Sequence, residues 1–110
     1  MPEPTLKELA VKVQEFVDRR SWNRYHRPKD IAIALSVEAS ELLEIFQWSA
    51  EGDGLSEDTL ARIRHETADT VIYALSMANA CCFDLSEAVV EKMALNEEKY
   101  PADKSKDLFG

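Results

Sequence analysis

Two pairs of carboxylates, Glu38 with Glu41 and Glu66 with Asp69, are the residues whose types and spacing could do chemistry. Within each pair the acids are three residues apart, so a helix places them one turn apart on a shared face. Glu38 falls in the middle of the stripe formed by Ile31, Leu35, Leu42 and Ile45, and Glu41 sits at the edge of that stripe. Glu66 and Asp69 repeat the arrangement on a face that continues through Thr70, Tyr73 and Met77. A carboxylate on a core-facing stripe is costly to desolvate, and a like charge one turn away adds to the cost. No Lys or Arg shares the Glu38 stripe, so neutralisation must come from elsewhere. Two such pairs facing each other across a bundle would make an oxygen-rich cage, which suits a hard cation such as Mg²⁺. Di-iron bundles use inward carboxylates too, but they require a Glu-x-x-His pair on each of two helices. Neither His26 nor His65 stands in such a pair.

The ordinary structural explanation has weight. With 21 acids in 110 residues, some Glu-x-x-Glu spacings arise on solvated faces, and Glu41 or Asp69 alone could be a rim charge. Glu38 is harder to explain in that way, because Ile31, Ala34, Leu42 and Ile45 surround it on the wheel. A metal centre and a set of structural ion pairs both remain open on spacing alone.

The elements that must position these acids are all helical. Thr5 and Glu8 have capping-box spacing, and Leu6, Leu9, Ala10, Val13, Phe16 and Val17 then recur at helical intervals. A first helix is expected from there to about Arg20. Ser21 to Arg27 reads as a connector carrying Trp22, Tyr25 and His26. Pro28 suits the first turn of a second helix, Asp30 complements its dipole, and the helix is expected to end before Gly52. Ser56 can cap a third helix from about Glu57 to Cys82. Its later half is apolar nearly all round through Val71, Ile72, Leu75, Met77 and Ala78, and oligomerisation is the simple way to cover it. Asp84 with Glu87 opens a fourth helix, striped by Leu85, Val89, Met93, Asn96 and Tyr100 and stopped by Pro101. The expectation is one all-α domain of four helices over residues 1–110.

Composition agrees and narrows the function classes. A 45% apolar content can bury a core, while three glycines and four prolines leave little punctuation for strands and tight turns. A net charge of −8 argues against nucleic acid as a partner, since duplex binding relies on Lys and Arg at phosphates. A single nucleotide is different, because a divalent cation can bridge acids to a phosphate chain. Val71 to Phe83 is too short to span a bilayer, and the first residues lack a signal peptide's apolar core. Cys81 and Cys82 are adjacent, which suits reduced thiols and a cytoplasmic setting better than a disulfide. There is no glycine-rich phosphate loop, no Gly-x-Ser-x-Gly elbow and no zinc spacing, so metal and carboxylates would have to carry any catalysis.

Three further features stand out. Trp22 and Trp48 could be simple core anchors, or they could sandwich a flat base. Asn96 interrupts an apolar stripe, either as a core amide or as a ligand contact. Lys99, Lys104 and Lys106 form a small basic cluster; such lysines are usually solvated, but a phosphate chain would need their charge.

Taken in order, these runs resemble the all-α (MazG-like) nucleoside triphosphate pyrophosphohydrolases. The resemblance is closest to their dCTP pyrophosphatase branch and extends over nearly the whole chain. It includes Pro2–Leu6, the connector Trp22–Pro28, Glu41–Trp48, Asp69–Tyr73 and Asn96–Pro101, around the paired acids. It implies that Glu38, Glu41, Glu66 and Asp69 hold Mg²⁺ on the triphosphate. It also implies that Trp22 and Trp48 wall the base pocket with His26 nearby. Tyr73 and Asn96 would meet sugar or phosphates, and Lys99 and Lys104 the phosphate chain. The reaction implied is hydrolysis of dCTP, or a modified dCTP, to the monophosphate and pyrophosphate, in a homotetramer built as a dimer of dimers. Two positions depart from relatives: Val37 replaces a Glu common in the wider family, and Val13 replaces a base-pocket histidine of the animal dCTP enzymes. Competing readings are a pyrophosphohydrolase for dUTP or phosphoribosyl-ATP, and a non-catalytic helical oligomerisation module.

Overall fold

The computed structural model describes residues 2–49 and 54–105, and no strand occurs among them. Helix α1 (Leu6–Arg19) starts at the capping box, where Thr5 Oγ1 accepts from the Glu8 amide at 3.1 Å and Glu8 Oε1 accepts from the Thr5 amide at 3.1 Å. The connector then makes a 3₁₀ turn at Asn23–Tyr25, preceded by Ser21 in the left-handed region at φ 54. Helix α2 (Pro28–Glu44) begins on Pro28, as the fixed φ of proline allows. Helix α3 (Glu57–Ala80) is capped by Ser56, whose Oγ accepts from the Thr59 amide at 3.1 Å. Helix α4 (Leu85–Lys99) is capped by Asp84 in the same manner, and a four-residue α5 (Ala102–Ser105) follows Pro101.

Helix α2 stops well short of Gly52. After Glu44 the chain tightens into turns, with the amides of Ile45, Phe46 and Gln47 reaching back three residues to Leu42, Leu43 and Glu44. Leu43, Phe46 and Trp48 are exposed there, so little packing among the described residues holds the segment to α-helical geometry. Two residues also separate the end of α3 from the expected Cys82, which takes φ 58 and breaks the helix.

Helix α3 is the spine: α2 packs along it and α1 also packs on it, whereas α4 touches α1 and α3 only weakly. Among the described residues the buried apolar core is small, consisting of Val17, Ile31, Leu75 and Ala78. Val71 and Ile72 on α3, and Val89, Val90, Met93 and Leu95 on α4, stay exposed. The radius of gyration is 17.0 Å, against about 13 Å for a compact domain of this length. The accessible surface is 9076 Å², against about 6,200 Å² for a compact monomer of 12.5 kDa. No helix among the described residues is long and apolar enough to cross a membrane.

Candidate active site

The α2–α3 seam brings acids from the two helices together. Carboxylate oxygens of Glu38, Glu66 and Asp69 all lie within 4.8 Å of one another. One oxygen each on Glu38 and Glu66, Oε2 in both, is buried with no hydrogen-bond partner. Burial raises the Glu38 carboxyl, and the neighbouring Glu41, Glu66 and Asp69 raise it further, to about 7. Burial and then Glu41 raise Glu66 as well. Glu41 lies close enough to act on both but is not among the three whose oxygens converge.

Local structure keeps neutral donors away from these oxygens. Thr70 Oγ1 donates to the Glu66 carbonyl at 2.9 Å, and Ser36 and Ser40 donate back to the carbonyls of Ala32 and Ser36, each at 2.9 Å. No ion pair among the described residues involves any of the four acids. Buried carboxylate oxygens lacking donors, with like charges beside them, have the chemistry of a cation's ligand set. Glu38, Glu66 and Asp69 are the residues placed to hold one.

About one helical turn further along α3, roughly 6 Å by axial rise, Ile72, Tyr73 and Ser76 form one wall of a cavity of about 360 Å³. Lys12, Val13 and Phe16 of α1, with Trp22 and His26 of the connector, form the other wall. Phe16 and Trp22 meet edge to face, with ring centroids 5.9 Å apart at 68°. The Arg20 guanidinium lies 3.5 Å from the Phe16 ring centroid and 5.8 Å from that of Trp22. His26 Nδ1 lies 3.0 Å from the Trp22 carbonyl. A carbonyl can only accept, so Nδ1 carries the hydrogen in this bond.

The structure therefore gathers Trp22, His26 and Tyr73 in one cavity, whose lining includes none of the four acids. It leaves Trp48 outside, 90% exposed beyond the end of α2. Asn96 and Lys99 lie on the stretch of α4 from Val89 onward, where every residue is exposed, and neither lines this cavity. The Lys99 ammonium instead sits 5.3 Å from the Tyr100 ring centroid. The Lys104 side chain and Lys106 lie outside the described residues.

Sequence reading missed Lys12, Phe16 and Ser76 as cavity residues. Leu9, Val13 and Phe16 were visible as an apolar stripe, but a stripe that faces a cavity has the same spacing as one that faces a core. A second hollow of about 570 Å³ lies between α1 and the start of α4 and contains none of the expected site residues.

Known proteins share this arrangement of chain. Human dCTP pyrophosphatase 1 is 38% identical over 105 residues, covering 92% of this chain and 62% of the human protein. The rat protein of the same name is 35% identical over 104 residues, covering 91% of this chain and 61% of its own length. This chain thus spans about three fifths of the length of the curated relatives it matches. The crystal structure of a pyrophosphatase from Archaeoglobus fulgidus superposes with a TM-score of 0.76 at 38% identity, covering 92% of this chain and 96% of that one. A sequence model of the MazG-like family matches residues 33–109, which takes in both acid pairs, the α3 spine and α4. With its acids on two packed helices of an all-helical fold, the chain belongs to the MazG-like family.

Proposed function

We propose that this protein hydrolyses a deoxynucleoside triphosphate, dCTP or a modified dCTP, to the monophosphate and pyrophosphate with Mg²⁺. The observation that carries this reading is the pairing of two unlike sites. Glu38 and Glu66 each bury one carboxylate oxygen without a partner beside Asp69, and Asp69 stands one turn of α3 before Tyr73 in the wall of an aromatic cavity. The names of the human and rat relatives supply the substrate, and the acid cluster supplies the place for a cation.

In this reading Glu38, Glu66 and Asp69 hold Mg²⁺, which when bound neutralises charge on the triphosphate. Glu41, adjacent to the cluster but not converging with it, takes the proton of the attacking water. Water oxygen bonds to the α-phosphorus as the bond to the bridging oxygen breaks, and pyrophosphate departs. Trp22, His26 and Tyr73 hold the base and sugar in the cavity, against its largely apolar walls.

Trp48, Asn96, Lys99 and Lys104 join the site from other copies of the chain in a homotetramer. The support is the excess surface, the 17.0 Å radius of gyration and the uncovered apolar face of α4. Free Cys81 and Cys82 support a reducing, cytoplasmic setting. Incubation of the purified protein with dCTP and Mg²⁺ tests the proposal, with dCMP and pyrophosphate as the expected products. Orthophosphate without pyrophosphate, or no turnover of any common deoxynucleoside triphosphate, would overturn it. A competition of dCTP against dUTP and phosphoribosyl-ATP decides the base.

A further inference from the structure

The wall of the cavity that carries Trp22 and His26 belongs to a connector with little burial. Of residues 20–27 only His26 is even partly buried. Ser21 holds a left-handed conformation at φ 54, which a serine adopts only under restraint. Backbone bonds account for part of that restraint: the Ser21 amide donates to the Asp18 carbonyl at 3.0 Å, and the Trp22 amide to the Val17 carbonyl at 3.0 Å.

The rest comes from a closed triangle of side chains. Gln14 Nε2 donates to Asp18 Oδ1 at 2.9 Å and to Asn23 Oδ1 at 3.0 Å, while Asn23 Nδ2 donates to the same Asp18 oxygen at 3.0 Å. Asn23 begins the 3₁₀ turn, so tying it to α1 fixes the residues on either side. Trp22 precedes it directly, and the His26 amide donates to the Asn23 carbonyl at 3.0 Å. The His26 ring is then held by the Trp22 carbonyl. Gln14, Asn23 and His26 also line a smaller polar hollow of about 220 Å³ beside the cavity, bordered by Ser76 and Asn79. The two bonds from Asn23 and Gln14 keep the Asp18 carboxyl below the usual range, which agrees with its acting as an ionised acceptor.

We infer that Asp18, clamped by Gln14 and Asn23, is a positioning residue that sets nucleotide affinity by fixing the Trp22–His26 wall of the cavity. Its action is through the connector: it holds the Trp22 and His26 rings in place before the nucleotide arrives. The inference rests on the cavity being the base site of the proposed reaction.

Steady-state kinetics on the whole protein with dCTP and Mg²⁺ provide the test. Asp18→Ala removes the shared acceptor and raises KM by about fivefold while kcat stays within about twofold. Asn23→Ala gives the same split, and Asp18→Asn, which keeps an Oδ1 acceptor, restores most of the affinity. Thermal melting is measured in parallel. Asp18→Ala with an unchanged KM, or a fall in kcat that tracks a fall in Tm, overturns the clamp and leaves a merely structural network. If the native protein turns over no nucleotide, it is the proposed reaction that fails.

Discussion

The α2–α3 seam and helix α4 are built from equally good helical sequence, yet they end in opposite situations. Both α3 and α4 start on a side-chain cap, at Ser56 and Asp84, and both carry an apolar stripe. The seam closes over Ile31 and Leu75 and shuts carboxylates of Glu38 and Glu66 away from donors. Helix α4 buries no residue at all. Caps and periodicity make a helix, but only a packed neighbour makes a site. One chain therefore assembles the acids and both walls of the cavity, while Asn96 and Lys99 stay on an exposed helix.

The sharpest way to break this comparison is at the seam. Glu38→Gln keeps the shape and removes the charge, and Mg²⁺-dependent dCTP turnover is expected to fall by roughly 10²–10⁴-fold. The same variant without metal is expected to melt higher than the native chain near pH 8, since a buried unpaired charge is gone. An active Glu38→Gln protein would make the seam a structural ion cluster instead.

A second test addresses α4. Val90→Glu with Met93→Glu places charge on its uncovered face, 68% and 64% exposed at those positions. If the proposed tetramer forms through this face, sedimentation is expected to show its loss, with turnover down by about tenfold or more. Native mass together with native activity would mean that α4 is free in solution. Lys99→Ala is milder, with KM for dCTP rising by about fivefold and a shallower salt dependence. An unchanged KM would remove α4 from the phosphate site.

The smallest effect is thermodynamic. The Glu38 carboxyl stands at about 7 in the fold against an ordinary value of 4.5, so the folded state binds this proton more tightly than the unfolded state. Its contribution is complete below pH 4.5 and is lost as pH rises through 7. Without metal, Tm is expected to fall by several degrees across that window, and Mg²⁺ is expected to reverse the fall at high pH, where the acids are ionised. A flat profile in the native protein, or the same slope in Glu38→Gln, would assign the titration to other groups.

Much of the fold was legible, for identifiable reasons. Thr5, Ser56 and Asp84 mark helix starts because a side-chain oxygen can satisfy the first free amides, and that signal is local. The end of α2 was misplaced by several residues because its termination at Glu44 reflects missing contacts, which no local pattern records. At the site, Glu38 could be singled out because an acid on an apolar stripe is anomalous in one dimension. Phe16 and Lys12 could not, since their neighbours around the cavity come from α3 and the connector, dozens of residues away.

The sequence by itself determined the helices, their caps, the acid pairs on single faces and the family resemblance from which a role for those acids is proposed. These depend on interactions within a few residues or on patterns that repeat along the chain. Only the tertiary structure decided which acids converge: Glu38, Glu66 and Asp69, with Glu41 to one side. It also decided that Trp22 and Trp48 do not share a wall within one chain, and that the connector is tied to α1 through Asp18. Convergence depends on how helices pack, and packing is settled by side chains far apart in sequence.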